Sequence, residues 1–448
     1  GDSYLNRRHF NEAKQYYSRS EGLDAGTGDY ALYQQALVAG LQKNYQQKVD
    51  LLNNLESRYP TSPYVVNALY EKGRSYVEAE NNAQAINVYK QLVSRFPESA
   101  LSRKAAAEIG LLYYQGDDYN NAISAYRQVI EKYPGSEEAR LALRDLKSLY
   151  VDADRVNEYT ALAAQLPDAV SFQPGEQDSL TYIAAERVFM RGDMAAAKNS
   201  LTRYLQSYPE GGYRLNAHHY LSEIAQQQKD EDGVLQHTTA LLEYPENSFS
   251  EEALSARGDI YYNRQQYAEA LADYKRLYAK ASAPAVRQTA LLGAVRSAAK
   301  LNDAIEVINQ ANTLLEGSKL SPDVETEARY LRAKAYLAEN ATDRARADLQ
   351  QLATDTRTTQ GAEAKYLLAQ QLYDQGNYAQ AEKELLDFID QSTPHAYWLA
   401  RGFVLLSDVY AKTDKKLEAR EYLLSLQQNY QADDDIQEMI NSRLEQLK

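Results

Sequence analysis

The chain has 448 residues, a formal net charge of -14 and no cysteine, with Lys and Arg scattered along its length. That balance lacks the basic stripe a phosphate backbone requires, and the missing cysteines remove disulfides, thiolate metal sites and cysteine nucleophiles together. No run of about 18 apolar residues occurs, so no membrane-spanning helix is expected.

The first residues carry a spacing that returns along the chain. Gly1, Tyr4, Phe10 and Ala13 are spaced as Gly110, Tyr113, Tyr119 and Ala122 are. The chain therefore opens in the middle of a unit, and residues upstream are expected: an export segment with part of a helix, or whole further units. Full units begin near Asp29, Val66, Arg103, Ser136, Asp178, Arg214, Glu251, Ala285, Thr326, Ala362 and Ala400. The second of these reads Gly73, Tyr76, Ala85, Tyr89, Phe96, Pro97, and the third reads Gly110, Tyr113, Ala122, Tyr126, Tyr133, Pro134.

Within a unit, apolar residues recur at helical spacing, as in Ala122, Ile123, Tyr126, Val129 and Ile130, which predicts amphipathic helices. Polar turns at 80–82, 115–118 and 375–377 separate the two helices of a unit. Helix starts are expected at Ser62, as an N-cap before Pro63, and at Ser136, before Glu137 and Glu138. An irregular connection at 168–177, containing Pro174 and Gly175, is expected to divide an N-terminal stack, 1–167, from a C-terminal one, 178–432. A second group of breakers lies at Glu316 to Pro322. The stretch 433–448 reads as a capping helix with Ile436, Ile440, Leu444 and Leu447 on one side. The pattern departs from itself at Arg155, at Gly233 with His237, and at Leu292 with Val295. No segment reads as a strand.

Self-similarity at this period marks a solenoid, in which stacked neighbours supply the core that no unit can build alone. The spacing resembles the tetratricopeptide repeat: Gly73, Ala85 and Pro97 fall at its positions 8, 20 and 32, as do Gly110, Ala122 and Pro134. Tyr76, Tyr113, Tyr261, Tyr336 and Tyr410, all at position 11, extend the likeness over essentially the whole chain. The resemblance implies an all-α fold, a right-handed α-α superhelix of about twelve helix-turn-helix repeats with the first truncated.

Chemistry-bearing motifs are sparse. No phosphate-cradling loop, nucleophile elbow or metalloprotease His pair occurs, so no catalytic residue, metal or cofactor is expected. His218 and His219 are adjacent on a helix and point about 100° apart, which suits them poorly to one ion. The run Asp230 to Gly233 looks like a calcium loop, but Gln228 and Thr239 stand where the outer carboxylates should be, and a solvated turn is expected instead.

In the family, positions 2, 5, 9 and 12 of the first helix face the ligand. Those positions give Tyr30, Tyr33, Asn67, Tyr70, Arg74, Lys104 and Tyr114, then Tyr182, Glu186 and Phe189. Farther on they give Asp259, Tyr262, Tyr330, Lys334, Tyr366 and Tyr373. Tyrosine offers a rigid contact area with a polar tip and is favoured at binding hot spots, although aromatics at helical spacing also serve packing between units. Asn67, Arg74 and Lys104 resemble part of the clamp with which family members grip a terminal carboxylate.

The expected function is therefore a non-enzymatic scaffold or adaptor whose partner is a protein or peptide. The long Tyr-Pro-punctuated repeats resemble those of bacterial envelope tetratricopeptide proteins, including lipoproteins of outer-membrane assembly. That likeness implies a periplasmic or outer-membrane-associated location, with a lipid anchor upstream of residue 1; a cytoplasmic location is the alternative, and the sequence leaves the oligomeric state unknown. The second functional reading is the ligand-recognition module of a larger regulatory or sensor protein, taking a peptide or glycan signal.

Overall fold

A computed structural model describes residues 1–23, 26–166, 170–245, 247–317 and 319–447. Pro167 at the end of the expected N-terminal stack, Asp168 and Ala169 of the expected connection, Ser318 of the second breaker group, and Lys448 of the capping segment lie outside the described residues. Among the described residues all regular structure is α-helical.

The chain forms two compact units, Gly1–Ala217 and His218–Lys448. The first opens with α1 (Asp2–Asn6) and α2 (Phe10–Leu23), a shortened pair. Full hairpins follow: α3 (Gly28–Leu41) with α4 (Tyr45–Arg58), α5 (Val65–Glu78) with α6 (Asn82–Arg95), and α7 (Ala100–Gln115) with α8 (Tyr119–Lys132). Next come α9 (Glu137–Asp152) with α10 (Val156–Gln165), and α11 (Glu176–Met190) with α12 (Met194–Ser207). The division between units falls inside α13 (Arg214–Gln227), which precedes α14 (Glu231–Leu242).

In the second unit α15 (Ser250–Asn263) pairs with α16 (Tyr267–Lys280), α17 (Pro284–Lys300) with α18 (Ala304–Glu316), and α19 (Pro322–Ala338) with α20 (Thr342–Leu352). The hairpins α21 (Thr359–Asp374) with α22 (Tyr378–Asp390) and α23 (Ala396–Lys412) with α24 (Lys416–Asn429) follow. Last is α25 (Ile436–Gln446), whose buried Ile436 and Ile440 pack with Val404 and Leu423. From α3 onward the odd-numbered helix of each hairpin is helix A and the even-numbered one is helix B.

Close helix crossings explain the repeated small residues. Ala85 and Ala122 are fully buried, and a side chain at Gly110 would collide with the ring of Tyr126, 2.6 Å from where its Cβ would stand. The tyrosine of helix B therefore lies flat against a helix A stripped of its side chain. In the ninth hairpin, where the sequence departs from the pattern, Gly293 rather than Leu292 makes this approach, to Tyr274 of the preceding helix B.

Turns within hairpins share one backbone device. The residue before the helix B N-cap has positive φ at Lys43, Glu80, Asp117, Asp154, Lys229, Gln265, Asn302, Asn340 and Asp414, and at Gly192 and Gly376. The next residue often caps the helix: the side chains of Asn44, Asn81, Asp118, Asp193, Asp230 and Asp303 each accept an N–H from the first turn. Arg155 offers no such cap, and its helix α10 is the shortest helix B. The Asp230 cap makes the calcium-like run an A-to-B turn.

One expected helix start is corrected. Ser136 caps α9 through the N–H of Ala139 at 3.0 Å, as its sequence context implies. Ser62 does not cap α5; its hydroxyl donates to Asp29 at 2.5 Å and accepts the N–H of Tyr64, so a turn intervenes and the helix begins at Val65. The expected connection at 168–177 lies within the first unit, where Val170 is buried and Phe172 stands edge-on to Tyr159.

Candidate partner-binding face

Successive A helices touch one another along each unit: α5 with α7, α7 with α9 and α9 with α11 in the first, and α15 with α17, α17 with α19 and α21 with α23 in the second. They line a wall in each unit, and the expected ligand-facing residues stand on the A helices.

In the first unit, Tyr30 donates to Asp2 at 2.9 Å beside Tyr17, which donates to the same carboxylate at 2.6 Å. Their two hydroxyls hold the Asp2 carboxyl below its ordinary value. Tyr33 stacks on Tyr64 with ring centroids 5.4 Å apart, and Asn67 is exposed one helix on. Tyr70 lies half-buried, 5.8 Å from the ring of Tyr89. Arg74 is exposed and pairs with Glu71 at 3.0 Å, while Lys104 is exposed with no hydrogen bond or ion pair among the described residues. Tyr114 donates to Asp152, which also holds Arg187. Tyr182 is buried, stacked 4.5 Å from Tyr213, and donates to Glu186 at 2.7 Å; Phe189 is half-buried one turn along.

In the second unit, Asp259 accepts the hydroxyl of Tyr274 at 2.7 Å, and Tyr262 stands edge-on to Tyr267. Tyr330 and Lys334 converge on the buried Glu363, at 2.7 and 2.6 Å. Tyr366 is buried, donates to Gln370 at 2.9 Å and accepts from Arg401 at 3.2 Å, with that guanidinium 5.0 Å above its ring. Tyr373 packs at 5.5 Å against Tyr378.

Many of these side chains are thus joined to the next helix A of the same unit. The three residues of the clamp-like group share α5 and α7, but Arg74 is already held by Glu71. Several wall residues escape a reading built on aromatic positions: Glu71, Glu108, Asp152, Glu363 and Arg401. Glu108 is half-buried, and among the described residues no hydrogen bond or ion pair reaches it. Burial pushes its carboxyl up, against a weaker pull from Arg74.

The histidines take separate partners. His218 faces His237 with their Nδ1 atoms 3.0 Å apart, and burial lowers the pKa of His218. His219 stacks on Phe249 at 4.3 Å, with Nε2 3.3 Å from Glu223 and Nδ1 3.7 Å from Glu252. These three residues can bring one ligand atom each within 4.8 Å of one another, yet the two carboxylates face different nitrogens of the ring. A cleft of about 750 Å³ opens away from the expected wall residues, at the turn between α8 and α9, lined by Pro134, Ser136 and Leu143.

Family models agree with this architecture. Tetratricopeptide repeat models match residues 30–62, 70–137 and 330–397, and a tetratricopeptide repeat-like domain model matches 125–293. No curated protein matches the chain. Among solved structures, the chain is similar to one in a structure of Naa15/Naa10 bound to HypK-THB, at 14% identity and a TM-score of 0.41, over 96% of this chain and 67% of that one. It is similar to a tetratricopeptide repeat protein from Parabacteroides merdae at 12% identity and a TM-score of 0.27, over 59% of this chain and 98% of that one. The tetratricopeptide domain of P58(IPK) aligns at 10% identity and a TM-score of 0.25, over 94% and 98%.

Proposed function

We propose, from the premise that this chain is a tetratricopeptide-repeat protein, that it is a non-enzymatic scaffold or adaptor holding a protein or peptide segment against its A-helix wall. The observation that carries this reading is the stretch of wall on α3, α5 and α7. There Tyr33, Tyr70 and Arg74 are gathered on adjacent helices, and Lys104 and Glu108 have no partner of their own. Rigid phenol faces beside unengaged charges give contact area and orientation at once.

We place the scaffold in the bacterial envelope, periplasmic or outer-membrane-associated, with a lipid anchor upstream of residue 1. The likeness of its repeats to envelope members of the family supports this.

A photo-crosslinking amino acid at Tyr70 tests the wall, with the same group at the exposed Glu131 on α8 as control. The expected result is a protein adduct in the source organism from Tyr70 and none from Glu131. Equal adducts from both positions would remove the wall from the reading. Recovery of the native chain with the cytoplasmic contents on fractionation would remove the envelope.

A further inference from the structure

Glu71 and Glu108 occupy the same place in consecutive repeats, 37 residues apart. At the first, the carboxylate receives an internal lysine. Lys48 reaches from α4 across Gly40, where a Cβ would stand 2.9 Å from the lysine chain, and sets Nζ 2.5 Å from Glu71. Both side chains are largely withdrawn from solvent, at 9% and 14% exposure. One repeat later the residue at the place of Lys48 is Ala85, so no ammonium is supplied to Glu108.

Nothing else among the described residues of the first unit replaces it. Arg74 is close enough to pull the Glu108 carboxyl down in part, but its guanidinium is engaged 3.0 Å from Glu71. Lys104, one turn earlier on α7, makes no ion pair with it. A second polar group on the same stretch is also unsatisfied: Tyr126 is 1% exposed, its hydroxyl has no hydrogen-bond partner, and Glu108 and Tyr114 are among its electrostatic neighbours. Of the equivalent helix B phenols, Tyr17 is bonded to Asp2, Tyr204 to Asp178 and Tyr274 to Asp259. A half-buried carboxylate without a partner is costly unless a guest completes it.

We propose that Glu108 is the receptor for a lysine or arginine side chain of the bound segment, supplying in trans the contact that Lys48 makes with Glu71 in cis. Half-buried Tyr70, an electrostatic neighbour of Glu108, provides an aromatic face for the cation, and the chain's charge of -14 favours approach of a basic segment. The inference rests on the wall reading above and adds the chemistry of the partner.

The test is selection from a random displayed peptide library against the full chain, against Glu108→Gln and against Glu131→Gln. The last has the same charge change on helix B. Wild type and Glu131→Gln should select peptides with Lys or Arg at a fixed position, and Glu108→Gln should lose that preference. For a selected peptide, Glu108→Gln should weaken binding about tenfold or more, the usual scale for a hydrogen bond to a charged group. The peptide with that lysine replaced by norleucine should bind wild type and Glu108→Gln alike. Persistence of the basic preference in Glu108→Gln overturns the inference. So does selection of peptides that need Tyr70 but no cation, which leaves the wall reading standing. Peptides indifferent to Tyr70→Ala would defeat the wall reading itself.

Discussion

Gly73 lies beneath the ring of Tyr89: a Cβ on that glycine would stand 2.3 Å from a ring carbon. Tyr89 is 1% exposed and held by a packed core, so the ring has little room to retreat. Gly73→Ala is expected to lower stability by about 1–3 kcal/mol through overpacking. Gly22→Ala, on α2 with nothing within 4 Å, should instead be neutral or stabilising by about 0.5 kcal/mol. Urea unfolding followed by circular dichroism distinguishes them; equal midpoints for both would contradict the crossing.

Two hairpins of the second unit share a buried ion pair at the same positions. Arg257 holds Asp273 with Nε and Nη2 at 2.7 and 2.8 Å, and Arg332 holds Asp348 at 2.8 and 2.7 Å. Asp348 is 1% exposed, and Arg329 reaches it as well. Asp348→Ala should cost about 3–5 kcal/mol by stranding a guanidinium, whereas Arg332→Met combined with Asp348→Leu should recover most of the loss. Thermal melts of the single and double variants decide it, and a harmless Asp348→Ala would argue against the pair.

The phenol of Tyr126 has no hydrogen-bond partner among the described residues, and that of Tyr274 is bonded to Asp259 at 2.7 Å. Removing the first hydroxyl deletes an unsatisfied group, so Tyr126→Phe should be neutral or stabilising by up to about 1 kcal/mol. Tyr274→Phe should destabilise by about 1–2 kcal/mol. The opposite order in chemical denaturation would show that the two phenols are misassigned.

Burial is the first cause that raises the pKa of Tyr89, Tyr126, Tyr204 and Tyr274 well beyond the usual phenol range. A raised folded-state pKa stabilises below the unfolded value, about 10 for tyrosine, and that stabilisation is lost as pH climbs toward the folded value. Alkaline titration should therefore show exposed phenols ionising near that value and a later group ionising together with loss of helix. A single phenolate step completed with helicity intact would refute this.

Glu108 follows the same sign at the acid end. Its carboxyl is raised by burial, so its contribution is present below the unfolded carboxylate range of about 4.3 and lost as pH rises through the folded value. Glu108→Gln should be more stable than wild type at neutral pH, with the advantage shrinking on acidification. Paired unfolding curves at the two pH values measure the difference.

The repeat was legible because its signals are steric. Gly73, Ala85, Gly110 and Ala122 mark places where a larger side chain would collide, and such constraints recur in the letters themselves. The role of a wall tyrosine was less legible: Tyr114 finds Asp152 and Tyr330 finds Glu363 one repeat away, so nothing beside them in sequence says whether the phenol is engaged. Ser62 misled for a related reason, since Asp29 of the previous repeat draws its hydroxyl. The likeness of Glu71 and Glu108, and of Lys48 and Ala85, was present in the spacing, but that Lys48 answers Glu71 is visible only in the fold.

Left-handed backbone at Lys43, Glu80, Lys229 and Gln265 is occupied by residues that hold it at a cost of roughly 1 kcal/mol each relative to glycine. These four sites lie in different hairpins, far enough apart for their effects to add. The chain therefore contains a set of independent thermostat settings: exchanging them singly or together would grade its melting temperature while leaving every A-helix side chain untouched.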